Sequence, residues 1–383
     1  MIEQIFTQIA FALAVFVFGL SLLVFVKVFS PSLLLSYLRG LKRPLVESAF
    51  AIFLGLIVGA VILMVFDKNP IEGYKSMLKG FGIFIRERTF KADEFAYALA
   101  FATPYMLTAL TFAVGMRAGL FNIGAEGQVY IGGAAAAWIA GHVALPAGFH
   151  VFAVTIIAML AGALWALLPA LLKIWRGVHE VISAIMLNWI AFYLVMYLAI
   201  YHLPGKWAHI TAEALPTARY SVISGNLTAV IFIALLVCIV AYVFLWRMYP
   251  GYELRLVGDN PDAARYAGIS ISRAILLSFI IGGLAAGLAG ASLAIRPEKW
   301  GFHDTLTDLM TYGFVGIGVA LVGRNHPIGI IPSAIFFGGL ANSGRFMEFD
   351  VGISSELVTG IQGVIIMAMA LPGLLALLRR KAE

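Results

Sequence analysis

Apolar residues run through this chain in long unbroken stretches, separated by short connections that hold the charges, prolines and many of the glycines. Neither the alternation of a half-buried strand nor the single stripe of a surface helix governs these stretches. A helix spans a bilayer in about 20 apolar residues, and eleven stretches approach that length. They are 5–26, 47–66, 95–115, 125–140, 147–172, 182–203, 224–246, 274–295, 306–322, 327–342 and 356–378. Three of them, 125–140, 306–322 and 327–342, are too short to cross squarely. Short, glycine-rich segments in a polytopic protein point to broken or re-entrant helices, which survive only where protein or a cavity shields their backbone. The predicted fold class is all-α, a polytopic transmembrane helix bundle of about 10–11 spans.

Composition sharpens the picture. Of 383 residues, 62% are hydrophobic and 12% charged. The charged share is about half that of an ordinary soluble domain. A soluble enzyme, a disulfide scaffold and a disordered chain are excluded. The single cysteine, Cys238, lies in an apolar stretch and has no internal partner for a disulfide. The seven histidines are scattered, without the spacing of a metal site.

Charge placement sets an expected orientation. The start MIEQIF lacks a basic lead, and Lys27, Arg39, Lys42 and Arg43 follow the first stretch. This order suits an uncleaved span with its N-terminus outside. With that orientation 15 of the 26 Lys and Arg fall in cytoplasmic connections. Of the other 11, six sit in the long loop 67–94, and long loops count for little in the rule. The C-terminal LLRRKAE is then cytoplasmic.

Two connections carry structure of their own. In 67–94, Ile71, Tyr74, Met77, Leu78 and Phe81 recur at near-helical spacing, as in an amphipathic helix along the outer interface. A solvated connector is the alternative. In 247–273, Tyr249-Pro250-Gly251 breaks the preceding span. Asp259 or Asn260 can cap a short helix, Pro261 fits its first turn, and Asp262 favours its positive end. Ala263, Ala264, Tyr266 and Ala267 give it a small-residue face, and Gly268 ends it. Such a helix can dock a soluble partner, or it can simply join two spans.

Within the spans, Gly283, Gly287 and Ala291 share one face of a helix, and Ala286 and Gly290 another, which permits close helix contact. Polar side chains at membrane depth are few and costly. Gly119, Gly124, Gly127, Gly132 and Gly133 predict an unwound segment over 119–133, with Asn122, Glu126 and Gln128 among them. Glu126 either caps a neighbouring helix end or meets substrate. Asn188 can read the edge of a polar ring and Trp189 can stack on its face. A belt position at the interface is the competing reading of the tryptophan.

No GxxxxGK(S/T), HExxH, CxxC or GxSxG occurs. No chain of intramembrane carboxylates and histidines resembles a proton relay. An ion-coupled secondary transporter or channel for a small polar solute stays open, but energy delivered by a docked partner fits better. No catalytic constellation, cofactor or metal site is expected, and nothing points to nucleic acid.

At these residues the chain resembles a known family. ATPYMLTALTFAVGMRA at 102–118 and GLFNIGAEGQVYIGG at 119–133 are similar to the signature of ABC-importer permeases for nucleosides and simple sugars. HEVISAIMLNWIAFYL at 179–194 resembles a second signature, and RLVGDNPDAARYAGIS at 255–270 resembles the family's cytoplasmic coupling loop. The resemblance covers 47–378 and leaves 5–26 as an extra N-terminal span of one permease domain. It implies a type II importer-like bundle in the bacterial inner membrane that translocates nucleosides or related compounds without altering them. It further implies pairing with a second, related permease or with a copy of itself. A cytoplasmic ABC ATPase would drive it, and an extracytoplasmic substrate-binding lipoprotein would supply it. Asp259, Asn260, Pro261, Ala263, Ala264, Tyr266, Ala267 and Gly268 would dock on that ATPase. Asn188, Trp189, Asn122, Glu126 and Gln128 are the candidate substrate pathway.

Overall fold

The computed structural model describes residues 42–354 and 356–368. The expected span 5–26, most of its basic connector and the chain from 369 onward lie outside the described residues. Contacts divide the chain into two units, the described parts of Met1–Ala102 with Ile335–Glu383, and Thr103–Ala334.

The first unit begins with α1 (Lys42–Val65) and α2 (Pro70–Lys79). Asn69 caps α2 by accepting from the Ile71 amide at 2.9 Å, and Pro70 opens it. Of the residues whose spacing predicts it, Met77 is buried together with Gly73 and Ser76, while Ile71 is exposed and Phe81 lies past the end of the helix. The two-residue strands β1 (Ile83–Phe84) and β2 (Thr89–Phe90) form an antiparallel hairpin. Then follow the first residues of α3 (Ala92–Arg117), the later part of α12 (Pro327–Val351) and α13 (Glu356–Ala368).

Helix α12 runs nine residues past the expected end at 342, through Asn342-Ser343-Gly344-Arg345. Hydropathy cannot foresee this, because the polar residues are held by partners inside the unit. Asn342 Nδ2 donates to the Gly80 and Glu94 carbonyls, Ser343 Oγ to those of Met77 and Gly339, and Arg345 pairs with Glu94. Near the end, Asp350 bonds Ser76 at 2.7 Å and Lys79 at 2.6 Å.

The second unit holds the rest of α3, then α4 (Ala125–His142), α5 (Phe149–Arg176), α6 (Glu180–Tyr201) and α7 (Val230–Arg247). After these come α8 (Tyr249–Asp259), α9 (Pro261–Tyr266), α10 (Ile271–Ala294) and α11 (Tyr312–Val322). The span expected from 224 starts at Val230 because β3 (Val222–Ser224) and β4 (Leu227–Thr228) form a hairpin around Gly225, whose φ is +54°. The span expected from 306 becomes helical only at Tyr312.

Helices α4, α5 and α10 make the core of this unit through their backbones. A Cβ on Gly283 would stand 2.6 Å from Ala163 Cα and 2.7 Å from the Gly162 carbonyl in α5. On Gly287 it would meet Ala158 and Met159 of α5, and on Gly290 it would meet Val129 and Gly133 of α4. Small residues thus replace side-chain interdigitation with direct backbone approach. Helix α5 shows the corollary: Ala158, Gly162, Ala166 and Ala170 are buried, while Phe152, Leu160, Leu164 and Trp175 face outward.

Five helices, α3, α5, α6, α7 and α10, are each long and apolar enough to cross a membrane among the described residues. Helix α11, with 11 residues, is about 16 Å long at 1.5 Å per residue, half a crossing.

Candidate functional site

The site is built around the passage from α3 to α4. Gly119, at φ +70°, turns the chain out of α3, and the Ala118 and Leu120 amides close on the Gly115 carbonyl. The unwound stretch expected over 119–133 is confined to 118–124. From Ala125 onward α4 is regular despite Gly127, Gly132 and Gly133. The packing just described offsets the low helix propensity of these glycines: a Cβ on Gly132 would meet Gly287 of α10.

Glu126 is 2% exposed and binds the start of α11. Its carboxylate accepts from the Thr311 amide, from the Gly313 amide at 2.6 Å and from the Tyr130 hydroxyl at 2.7 Å. Orphan amides at a helix N-terminus favour such an anion. Thr311 has φ +72°, an unfavourable conformation for a β-branched residue. Thr108 adds a bond to the Tyr312 carbonyl at 2.9 Å, and Thr111 reaches the Gly282 carbonyl of α10 at 2.8 Å.

Asn188 of α6 spans the same turn. The Gly127 amide donates to its Oδ1 at 2.9 Å, and its Nδ2 donates to the Ile123 carbonyl at 3.1 Å. Glu180, at the start of α6, accepts from the Phe121 amide and from Lys173. Trp189 lies on the outer face of α6 and is 57% exposed, so it points away from Asn188.

Between these braces lie polar atoms with no hydrogen-bond partner in the protein. They are Asn122 Nδ2, both amide atoms of Gln128, and Trp165 Nε1. Asn122 Oδ1 accepts from the Gly124 amide at 3.0 Å. Built Cβ atoms on Gly124 and Gly127 would come within about 3 Å of Gln128 Nε2 and of Trp165 Nε1, so the groups share one neighbourhood. An unpaired buried polar group costs roughly 1–3 kcal/mol, so a cluster of them needs an explanation.

The α7–α10 connection forms an elbow. Gly251 lies against the Phe244 carbonyl and Arg255 Nε donates to the Leu245 carbonyl at 2.9 Å, folding α8 back on the end of α7. Asn260, not Asp259, caps α9, accepting from the Asp262 and Ala263 amides at 3.1 and 3.0 Å. Asp259 is the last residue of α8, and Pro261 is the first of α9. Ala264 is fully buried against Val257 and Ala274. Asp259, Asn260, Pro261, Ala263, Tyr266, Ala267 and Gly268 are all exposed, with Tyr266 at 98%. Gly268, at φ +79°, ends the segment in open space.

The structure gathers Asn122, Glu126, Gln128 and Asn188 in one place and sets Trp189 apart on the outer face. Sequence reasoning missed Trp165, Thr311, Tyr130 and Arg117. A signal existed for Trp165, since a tryptophan in mid-span does not belong to an interface belt. Thr311 and Tyr130 carry none without the fold. Among the described residues no His, Cys, Asp and Glu cluster could hold a metal ion.

A helix bundle with broken segments, a buried polar cluster and an exposed elbow fits a membrane transport subunit. The chain belongs to the family described as branched-chain amino acid transport system / permease component, which matches residues 95–370. It is 34% identical over 329 residues to a guanosine ABC transporter permease protein of Bacillus subtilis, covering 84% of this chain and 91% of the relative. A nucleoside ABC transporter permease protein of Lactococcus lactis is 31% identical over 360 residues, with 89% and 94% covered. A glucose ABC transporter permease protein of Haloferax volcanii is 30% identical over 326 residues, with 82% and 83% covered. The chain is therefore a multi-pass membrane protein of an ABC permease family and a non-catalytic transport subunit. This membership sets aside the ion-coupled alternative. It implies an ATPase and a binding protein as partners.

Proposed function

We propose that the chain carries nucleosides inward across the bacterial cytoplasmic membrane as one of two permeases in an ATP-driven complex. The observation that carries the coupling role is the elbow. Helix α9 is capped, anchored through Ala264 and otherwise exposed, with Tyr266 fully presented for a groove on a cytoplasmic ATPase. The excess of basic residues in the connections on that side supports a cytoplasmic elbow. A second, related permease or a second copy completes the membrane part, and an extracytoplasmic lipoprotein delivers substrate.

Asn122, Glu126, Gln128, Asn188 and Trp189 belong to the pathway in different ways. Asn122 and Gln128 offer unpaired amide groups suited to the edge of a base or the hydroxyls of a ribose. Glu126 and Asn188 hold the backbone around them. Trp189, on the exposed face of α6, would meet substrate from the side of a neighbouring permease. Two of the three relatives described carry guanosine or nucleoside in their names, which favours nucleosides. The Haloferax relative favours a second reading, a simple sugar.

Reconstitution with the neighbouring ATPase, permease and lipoprotein tests the proposal. Labelled guanosine should enter vesicles only with ATP, competed by other nucleosides and not by glucose. Glucose uptake alone would establish the sugar reading. Uptake without ATP that follows an ion gradient would overturn the proposal.

A further inference from the structure

The segment 117–126 touches the start of half-helix α11 and the turn that follows its end. Glu126 takes the first amides, as described. At the other end Arg117 Nε donates to the Asn325 carbonyl at 3.0 Å and its guanidinium reaches the Arg324 carbonyl at 3.1 Å. These carbonyls belong to the turn that follows α11, which ends at Val322, so Arg117 holds the exit of the half-helix as Glu126 holds its entry. Both ends are strained where they are gripped. Thr311 has φ +72°, and Arg324 and Asn325 are consecutive residues at φ +60° and +49°. Successive non-glycine residues in that region persist only where their surroundings enforce them.

The same segment meets the elbow. A Cβ on Gly258 of α8 would stand 2.8 Å from the Gly119 amide and would run into the Arg117 carbonyl. Two backbones therefore touch with no side chain between them. Trp246, at the end of α7, ties the parts together. The Arg117 and Arg255 guanidiniums lie 5.1 and 5.4 Å from its ring, and the His326 ring lies 4.6 Å away. Burial, then the Arg117 charge, push the His326 imidazole down to about 4, so it meets the indole uncharged.

We infer that Arg117, the Gly119–Gly258 contact and the 324–326 turn form a transmission joint through which movement of the elbow reaches half-helix α11. This rests on the importer reading and goes beyond it by naming the positioning residues. A push on α9 moves α8, because Asn260 links them directly. Helix α8 bears on Gly119 without slack. Arg117 and Glu126, on either side of Gly119, carry the displacement to the turn after α11 and to its start, beside the unpaired amides of Asn122 and Gln128.

The test uses the complete transporter in vesicles and reads both ATP hydrolysis and substrate moved per ATP. The wild-type complex is the control. If it shows no ATP-dependent uptake, the importer reading itself fails. Given a working control, Arg117→Ala and Gly258→Val should keep hydrolysis within about twofold while transport per ATP falls at least tenfold. Arg117→Lys keeps the charge but loses the planar fork that spans the two carbonyls, and should recover only part of the ratio. A wild-type ratio in both Arg117→Ala and Gly258→Val would overturn the joint. So would failure of every Arg117 variant to assemble, since the residue would then serve folding rather than transmission.

Discussion

Glu126 and Gln128 are two residues apart and equally buried, yet their side chains are in opposite conditions. Glu126 is saturated by two backbone amides and a hydroxyl, whereas Gln128 has no partner at either amide atom. Opposite mutational signs follow. Glu126→Ala strands the Thr311 and Gly313 amides, each at about 1–3 kcal/mol, and should lower the melting temperature of the purified permease in a thermal-shift assay. Gln128→Leu removes unpaired polar atoms at similar volume, so the same assay should show an equal or higher melting temperature while nucleoside uptake falls. Asp308, in the connection before α11, titrates with a definite sign. Burial pushes its carboxyl up, but the His303 amide at 2.9 Å, Lys299 and the His303 ring more than compensate and hold it below its ordinary 3.8. A lowered carboxylate contributes stability that is complete above 3.8 and is lost as pH falls through the lowered value. Asp308→Asn should therefore be less stable than wild type at neutral pH, and melting curves of the two should converge on acidification.

Elements were legible where one physical signal decided them. The long apolar runs of α5, α6 and α10 fall within a few residues of their observed ends, because hydropathy suffices for a helix in a bilayer. The capped helix α9 was equally readable, since Asn260, Pro261 and Gly268 act locally. Three features were not readable, each for a non-local reason. Helix α12 continues through Asn342 and Arg345 because distant carbonyls and Glu94 satisfy them. Helix α4 stays regular through its glycines because α10 lies against them. Helix α11 starts late because Glu126, 185 residues away in sequence, fixes the Thr311 amide. Of the candidate site, the polar residues could be named from sequence, but which were braces and which were unpaired could not. At this scale Tyr266 is the decisive test of docking. Tyr266→Ala removes a side chain with almost no contact inside this chain. It should leave yield and melting temperature unchanged while co-purification of the ATPase drops several-fold.

For the molecule in its membrane, orientation is the quantity to measure. Cys238 is buried, so a Cys238→Ala background carrying Tyr266→Cys offers one reporter. A membrane-impermeant thiol reagent should label it in inverted vesicles and not in intact cells. Reversed labelling would move the elbow outside and remove its access to a cytoplasmic ATPase. The substrate's route is constrained by the seam of α4, α5 and α10. A single added methyl at Gly283, Gly287 or Gly290 would collide with main-chain atoms of a neighbour. Side chains that interdigitate can slip a rotamer and open a crevice, but main chains in contact have nothing to rotate. The three helices should therefore move together as one post, and substrate should pass along its polar edge at Asn122, Gln128 and Trp165 rather than through the glycine seam.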